Sequence, residues 1–453
     1  MKRIVYLFLF AIIGGLAGQV HAQLDIDYDM YKLDNGLNVI LYEDHSTPMV
    51  SVNIWYHVGS KNEEPGRTGF AHLFEHMMFQ GSEHVGDDMH FGYIEEVGGT
   101  LNGTTSSDRT NYFEDLPKNH LELALWLESD RMGFLLPAMT QQKLDNQRAV
   151  VKNERRQNYE NRPYGLAYEK IYANLYPNGH PYHWMTIGSM EDLSAASLED
   201  VKNFFRKYYH PANASLVIAG DFVPEQAREL VAKYFGPIPA GPEVNPLHPQ
   251  EVDLSGEKRL TMEDQVQLPR LYMTFHTPAF FEPGDAKLDI LASVLGSGKN
   301  SRLYKSLVYE KRIAKDVNVY QSSRKLGSAF FIIATANPGH NLNEIEKAIW
   351  AEVEKVQNEG VTEREVQKAK NSFEASYVYR LQHIGGFNGI ANQMQHYYFY
   401  QGDPGYFNQD LARYSEITPA DVKSVAKQYL NPDRRVVLSV VPEGALDLQA
   451  SAE

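Results

Sequence analysis

The sequence contains no cysteine among its 453 residues. Disulfide bonds, thiolate metal ligands and cysteine catalysis are therefore excluded, so any metal must be bound by histidine, aspartate or glutamate. Positive charge is also scarce, because 43 lysines and arginines stand against 58 aspartates and glutamates, for a formal net charge of -15. Binding to a phosphate backbone needs a basic surface, so this balance argues against a nucleic-acid-binding protein.

The N-terminus has the pattern of an export signal. Lys2 and Arg3 precede an apolar run from Ile4 to Leu16, and Val20-His21-Ala22 fits the small-x-small pattern of a cleavage site. We predict a signal peptide over residues 1–22, cleavage after Ala22 and a periplasmic or secreted mature protein. The alternative is an uncleaved membrane anchor. The apolar run is shorter than the roughly 20 residues of a spanning helix, so no membrane span is expected after cleavage.

A proline-rich segment divides the mature chain into two parts of similar size. Five prolines lie between Gly236 and Gly256, a density that no helix or central strand tolerates. The sequence therefore predicts a linker at residues 237–257, which joins an N-terminal domain (23–236) to a C-terminal domain (258–453).

The two parts share an internal repeat. Asp421 and Pro432 each lie 221 residues after Asp200 and Pro211, and each copy reads as a capped helix, a proline turn and an apolar strand. The alternative is coincidence, since other capped helices followed by proline and a strand look alike. The repeat predicts an α+β fold of two homologous domains, each an antiparallel sheet packed with helices, including helices at 341–359 and 362–381.

Three segments before residue 81 have clear periodicity. Apolar and polar residues alternate in 36–44 and 49–57 around a turn at 45–48, which predicts a β-hairpin. Residues 70–80 instead follow the 3.6-residue period, with apolar side chains on several sides, which predicts a buried helix. A polar residue on such a helix needs a partner.

That helix carries His72, Glu75 and His76. Positions i, i+3 and i+4 lie on one helical face, so two imidazoles and a carboxylate converge there. This is how a catalytic zinc site begins: two histidines and a third ligand bind the metal, and a carboxylate deprotonates the water in the open position. The alternative is a histidine pair that only hydrogen-bonds Glu75, which the apolar surroundings disfavour because uncompensated buried polar groups are costly.

The order His-x-x-Glu-His is the inverzincin signature, and the sequence resembles the pitrilysin, or insulinase-like, metallopeptidase family, which includes mitochondrial processing peptidase and its short bacterial relatives. The resemblance covers most of the mature chain. It rests on Pro48, Gly59-Ser60, Glu63, Gly66, the run Gly69 to His76, Phe79, Gly81, Gly98-Gly99, Asn102, Thr105, Asp108, Thr110, Tyr112, His180-Pro-Tyr182 and Ile187-Gly188. It implies a zinc endopeptidase with one zinc ion per chain that hydrolyses unfolded peptides or oligopeptides.

The resemblance also assigns a third metal ligand. In the family this is a glutamate that follows an Arg-x-Val-Val-like run, and here that position is Glu154, 78 residues after His76. Without the resemblance, Glu154 would be interpreted as an exposed residue of a charged helix. Many relatives carry another glutamate seven residues earlier, where this chain has Gln147. A glutamine can hydrogen-bond behind the ligands but supplies no charge.

The resemblance implies that an extended peptide binds along the strand near residues 98–105. In the family such a peptide pairs with the strand edge, so Gly99, Thr100, Leu101 and Asn102 are the expected substrate-binding residues. Asn102 matches the asparagine that contacts substrate in relatives. The alternative is a turn asparagine beside glycines.

One family feature is missing from the second half. Active relatives carry an arginine and a tyrosine there that bind the substrate carbonyl, whereas Tyr309 and Lys315 stand near those places. In some bacterial relatives a partner subunit supplies the pair, so a homo- or heterodimer with a related chain is expected. The alternatives are a non-catalytic peptide-binding or assembly subunit of the same family, and a metal-storage or scaffold protein, whose metal would be expected to have a closed coordination sphere.

Overall fold

The computed structural model describes residues 24–248, 252 and 254–451, and the predicted signal peptide 1–22 lies outside the described residues. The strands are β1 (Asp29–Lys32), β2 (Asn38–Glu43), β3 (Met49–Tyr56), β4 (Thr100–Thr105), β5 (Thr110–Pro117), β6 (Ala214–Gly220), β7 (Lys258–Asp264), β8 (Arg270–Thr277), β9 (Ala314–Ser322), β10 (Ser328–Ala336) and β11 (Arg435–Pro442). The α-helices are α1 (Phe70–Met77), α2 (Met89–Glu96), α3 (Leu121–Ala138), α4 (Gln141–Arg155), α5 (Ala167–Leu175), α6 (Met190–Ala195), α7 (Leu198–Tyr208), α8 (Pro224–Phe235), α9 (Asp285–Gly296), α10 (Leu342–Glu359), α11 (Glu363–Arg380), α12 (Ile390–Gln401), α13 (Phe407–Ser415) and α14 (Pro419–Tyr429).

The strands form two sheets that share a five-stranded topology, and the first sheet has β1 as an additional edge strand. The first has the order β1-β2-β6-β3-β5-β4 and the second β7-β11-β8-β10-β9. In each sheet the strand that comes last in the chain lies between a parallel and an antiparallel neighbour. The predicted α+β class with two related units is confirmed. The prediction of purely antiparallel sheets is corrected, since each sheet contains one parallel pair.

The predicted β-hairpin is wrong. β2 and β3 run in opposite directions but are not neighbours, because β6 lies between them. All seven residues of β6 are buried, so this apolar strand is most stable in the middle of the sheet. Residues 44–48 cross its end, where Asp44 donates its N–H to the Gly220 carbonyl at 2.9 Å. Alternation identifies a strand but does not identify its neighbour.

The internal repeat is visible in the elements themselves. α7 and α14 begin and end 221 residues apart. Both begin with a capping box, formed by Ser197 with Asp200 and by Thr418 with Asp421, which satisfies N–H groups of the first turn. The described residues between α8 and β7 form no helix or strand, as expected for a proline-rich segment.

The two halves exchange helices. α5 comes from the first half but packs against β8 and β11 of the second sheet, and α12 comes from the second half but packs against β3 and β6 of the first sheet. Gln395 of α12 donates to the carbonyls of Asn53 and Ser215 at 2.7 and 2.8 Å inside this interface. Each sheet is therefore packed against a helix that comes from the other half of the chain. No helix within the described residues is both long and apolar enough to cross a membrane.

Candidate metal centre and active site

Helix α1 is fixed at its start by a buried carboxylate. Glu63 accepts hydrogen bonds from the backbone N–H groups of Gly69 and Ala71 at 3.0 and 2.8 Å and from the Trp184 indole at 3.0 Å. Gly69 itself has φ +84°, a conformation that favours glycine. Burial raises the pKa of Glu63 to about 8, although the hydrogen bonds from Ala71, Gly69 and Trp184 oppose that rise. Together these contacts set the position and direction of α1.

The packing of α1 leaves one face for the polar residues. Phe70, Leu73, Phe74 and Met77 are buried in the core against the first sheet. His72 and His76 remain partly exposed, and their rings lie 4.8 Å apart between centroids. The apolar side chains bury the other faces of the helix in the core. The two imidazoles therefore lie side by side on the face that remains accessible.

Helix α4 brings Glu154 to these histidines. Thr140 caps its N-terminus, and Leu144 and Val151 anchor it in the same core. Glu154 lies in the last turn, directly before a π-helical turn over Arg156–Glu160. π-helical turns are rare in proteins, and those that occur are frequently found at functional sites.

The structure places His72, His76 and Glu154 in metal-binding geometry. Glu154 Oε2 lies 3.7 Å from His72 Nε2 and 3.5 Å from His76 Nε2. One ligand atom from each residue lies within 4.8 Å of the others. Ligands at about 2.1 Å from a tetrahedral zinc ion stand about 3.4 Å apart. Two imidazoles and one carboxylate at these separations fit zinc with only small adjustments.

The electrostatics favour the protonation states that bind metal. Burial, with a further contribution from His76, lowers the pKa of His72 to about 4, so its imidazole is neutral at physiological pH. The contact with His76 lowers the pKa of Glu154 and keeps that carboxylate ionised. Neutral imidazole and ionised carboxylate are the ligand forms of these groups.

Glu75 lies beside the three candidate ligands in a different environment. Burial raises its pKa, while a hydrogen bond from Thr105 and the charges of His76 and Arg109 oppose that rise. A carboxylate whose pKa is raised toward neutrality is suited to accept and return a proton. Thr105 ends strand β4, so this hydrogen bond connects the carboxylate to the first sheet.

β4 is an edge strand, with β5 as its one hydrogen-bonded neighbour. Thr100 and Asn102 are exposed, whereas Leu101 is packed against the core. Asn102 Oδ1 accepts a hydrogen bond from the N–H of Gly103 at 2.8 Å. At Gly99 a Cβ would lie only 2.8 Å from Ile94. The open edge of β4 can accept another strand.

Three sequence-predicted positions make no hydrogen bond to the metal centre. Gln147 lies on α4, half-buried, and none of the described residues forms a hydrogen bond with its side chain. Tyr309 is 74% exposed. Lys315 is exposed at an irregularity in the pairing of β9 with β10, where Thr335 pairs with Asp316 and Ala336 with Ala314. The structure thus gives these three residues no part in the cluster.

Two contacts at the centre were not anticipated from the sequence. Asn158 Nδ2 lies 3.4 Å from Glu154 Oε1, and Thr105 holds Glu75. Asn158 follows Glu154 by four residues, a spacing that indicates a helical neighbour. Thr105 is separated from Glu75 by a loop and a helix, so only the fold brings them together.

Within the described residues, the second half does not repeat the cluster. Residues 221 positions after His72, Glu75 and His76 are Ser293, Gly296 and Ser297, none of which can replace an imidazole or carboxylate. Among the described residues, the candidate metal ligands of this kind therefore lie in the first half.

Comparison with known proteins gives matches along most of the chain. Residues 38–183 match the family model described as insulinase (peptidase family M16), and residues 195–373 match the model described as peptidase M16 inactive domain. The zinc protease PqqE of Helicobacter pylori is 28% identical over 432 residues, which cover 94% of this chain and 96% of PqqE.

Solved structures also resemble most of the chain. The crystal structure of a protease from Helicobacter pylori superposes with a TM-score of 0.85 at 28% identity and covers 92% of this chain and 100% of that one. The periplasmic protease PqqL of Escherichia coli, at 17% identity, has a TM-score of 0.76 over 95% of this chain but only 49% of its own. The similarity to PqqL shows a shared fold, and this fold occupies about half of the PqqL chain.

Proposed function

This chain belongs to peptidase family M16, the insulinase family, and we propose that it is an exported zinc-dependent endopeptidase that hydrolyses unfolded peptides. The observation that carries the proposal is the convergence of His72, His76 and Glu154, with Glu75 beside them, next to an open strand edge. In this proposal the first three residues bind one zinc ion and Glu75 is the general base.

The chemistry follows from the donor set and its surroundings. A zinc ion held by these ligands would polarise the substrate carbonyl and acidify the attacking water. Glu75 accepts the proton of that water at its carboxylate and then donates it to the nitrogen of the leaving amine. Thr105 holds the Glu75 carboxylate in position throughout, and Asn158 orients Glu154.

The substrate in this proposal is an extended segment that pairs with β4. Main-chain hydrogen bonds to the open edge would bind many sequences with similar affinity, because they do not read side chains. Gly99, Thr100, Leu101 and Asn102 are the proposed contacts. Since a folded protein rarely offers a free strand, the expected substrates are unfolded peptides or oligopeptides.

A second, related subunit is part of the proposal. Tyr309 and Lys315 stand near the places where active relatives have an arginine and a tyrosine, and both side chains are exposed. This chain matches only about half of PqqL, which supports an active unit that contains two chains of this fold. We therefore expect a homo- or heterodimer. PqqL is described as periplasmic, which supports the proposed export, with a signal peptide over residues 1–22.

The proposal is tested on residues 23–453, with zinc content and cleavage of an unstructured peptide pool as readouts. We expect about one zinc per chain, and we expect Glu75→Gln to keep the metal and lose at least 100-fold in rate, because removing the general base costs about 10²–10⁴-fold. Glu95→Gln, at an exposed glutamate of α2, is the matched control and should cleave like wild type.

The remaining outcomes separate the alternatives. Cleavage only after addition of a related subunit supports the shared active site. Zinc without cleavage in either condition favours the non-catalytic peptide-binding subunit, and a chain without zinc contradicts the mechanism. A closed coordination sphere with four protein ligands would instead favour a storage or scaffold role.

A further inference from the structure

A cavity of about 740 Å³ opens beside the metal centre, between the two halves of the molecule. One wall is the segment from Asn158 to Tyr168, which begins within the π-helical turn after α4, and the other is the face of β8, β9 and β10. Asn158 belongs to this wall and also contacts Glu154. The cavity thus begins one hydrogen bond away from a proposed zinc ligand, and its volume is that of a typical ligand site.

Two arginines of this cavity have no acidic partner. Arg162 and Arg270 line it, and neither lies within ion-pair distance of a carboxylate in the part of the chain that the structure describes. Asp316 is the carboxylate on the same wall, and its Oδ1 accepts a hydrogen bond from the Thr335 hydroxyl at 2.9 Å. Its single negative charge stands against the two positive charges of Arg162 and Arg270, so the cavity keeps a net positive lining. An unpaired guanidinium at a cavity is a preformed binding group for a carboxylate.

Arg270 is held in a defined orientation. Its Nε donates to Thr335 Oγ1 at 2.8 Å, and its guanidinium carbon lies 3.7 Å from the centre of the Tyr164 ring. These contacts reduce the rotamer entropy that a flexible arginine would lose on binding a ligand. The side chain is therefore preorganised rather than a mobile surface charge.

The stacking residue Tyr164 adopts an unusual backbone conformation. Its φ is +61°, a left-handed conformation that is an outlier for a bulky residue. Two hydrogen bonds to the second half maintain it, from its N–H to Asp264 at 2.7 Å and from its hydroxyl to the Leu268 carbonyl at 2.7 Å. Backbone strain that the surrounding structure maintains occurs preferentially at ligand-binding sites.

We propose that this cavity is a substrate subsite in which Arg270, assisted by Arg162, binds a carboxylate of the peptide. The inference rests on the proposed peptidase function and adds a specificity to it. A peptide paired with β4 would be read loosely along its main chain, and the cavity would favour those with a carboxylate at a fixed distance from the cleaved bond. That carboxylate is an aspartate or glutamate side chain or the C-terminus of the peptide.

The experiment compares matched peptides. A glutamate is moved through an unstructured peptide and replaced by glutamine at each position, and each peptide is made with a free and an amidated C-terminus. We expect one carboxylate to raise kcat/KM by about 10- to 100-fold, the range for a hydrogen-bonded charged pair. Arg270→Gln should remove this preference, so that this variant cleaves the charged and the neutral peptide at equal rates.

Two further variants keep the test independent of folding. Arg162→Gln changes an exposed residue and should reduce the preference without affecting the fold, whereas Arg156→Gln changes an exposed arginine outside the cavity and should leave the preference unchanged. A side-chain preference and an amidation effect both support the proposal and differ only in the source of the carboxylate. A preference that survives Arg270→Gln, or no charge preference in wild type, overturns it.

A binding measurement separates this inference from the proposed function. Affinities of the glutamate and glutamine peptides for the Glu75→Gln variant are measured by fluorescence anisotropy, which needs no cleavage. If wild type cleaves nothing yet the Arg270-dependent preference is present in binding, the peptidase proposal fails and the subsite remains. If cleavage occurs without any charge preference, the subsite fails and the peptidase remains.

Discussion

At the scale of single residues, the two carboxylates of the centre are adapted to different tasks. Glu154 has a lowered pKa because it contacts His76, whereas Glu75 has a raised pKa because it is buried. A ligand must remain ionised, and a general base must exchange a proton near neutral pH. The same residue type thus supports two roles because the two side chains have different neighbours.

Thr105 should influence how Glu75 titrates. Its hydrogen bond lowers the pKa of Glu75, so Thr105→Val should raise that pKa further. Because the base works in its ionised form, the acid limb of the kcat/KM profile should move to higher pH while the zinc content stays the same. Thr105→Ser keeps the hydroxyl and should retain the wild-type profile. An unchanged acid limb in Thr105→Val would contradict this role.

At the scale of secondary-structure elements, α1 depends on a contact outside its own sequence. It has eight residues, too few to be stable alone, and no side chain caps it at Gly69. Glu63 replaces the cap by accepting from two of the first N–H groups. The positions of His72 and His76 therefore depend on a carboxylate that neither binds metal nor contacts the cluster.

Loss of Glu63 should destabilise the protein and loosen the metal site. Glu63→Ala leaves two buried N–H groups unpaired, so the free energy of unfolding should fall by about 2–4 kcal/mol. Zinc affinity should fall as well, since α1 would no longer be fixed at its start. Glu64→Ala, at the adjacent exposed glutamate, should change stability by less than about 0.5 kcal/mol. Denaturant unfolding and zinc titration measure both effects, and equal stability of the two variants would refute the capping role.

At the scale of the whole molecule, a buried charge joins the two halves. Asp108 accepts hydrogen bonds from the Tyr182 hydroxyl at 2.6 Å, from the N–H of Lys325 at 3.0 Å and from the Tyr400 hydroxyl at 3.1 Å. Its Oδ1 also lies 3.5 Å from the buried ammonium of Lys61. Burial alone would raise the pKa of Asp108, but Lys61 and these hydrogen bonds outweigh it, so the pKa is lowered. Lys325 and Tyr400 come from the second half, so the hydrogen bonds that Asp108 accepts and the exchanged helices connect the same two units.

Removing one member of this pair should cost more than removing both. Asp108→Asn leaves Lys61 buried without a counter-ion and should lower the free energy of unfolding by about 3–5 kcal/mol. The double variant Lys61→Met with Asp108→Asn should recover much of that loss, because an apolar side chain needs no partner. Chemical denaturation of the four proteins in the cycle gives the coupling energy. Additive losses would show that the two side chains do not depend on each other.

The sequence by itself determined the fold class, the 221-residue repeat and the helix that presents His72, Glu75 and His76, because periodicity and spacing along one helix are local properties. Glu154 was accessible only through family resemblance, since nothing within its own helix identifies a ligand. Only the tertiary structure decided that β6 separates β2 from β3, that α5 and α12 each cover the other half's sheet, and that Thr105 reaches Glu75. These contacts join residues far apart in the chain, and their energies depend on which buried surfaces meet, which a linear pattern of apolar and polar residues does not specify.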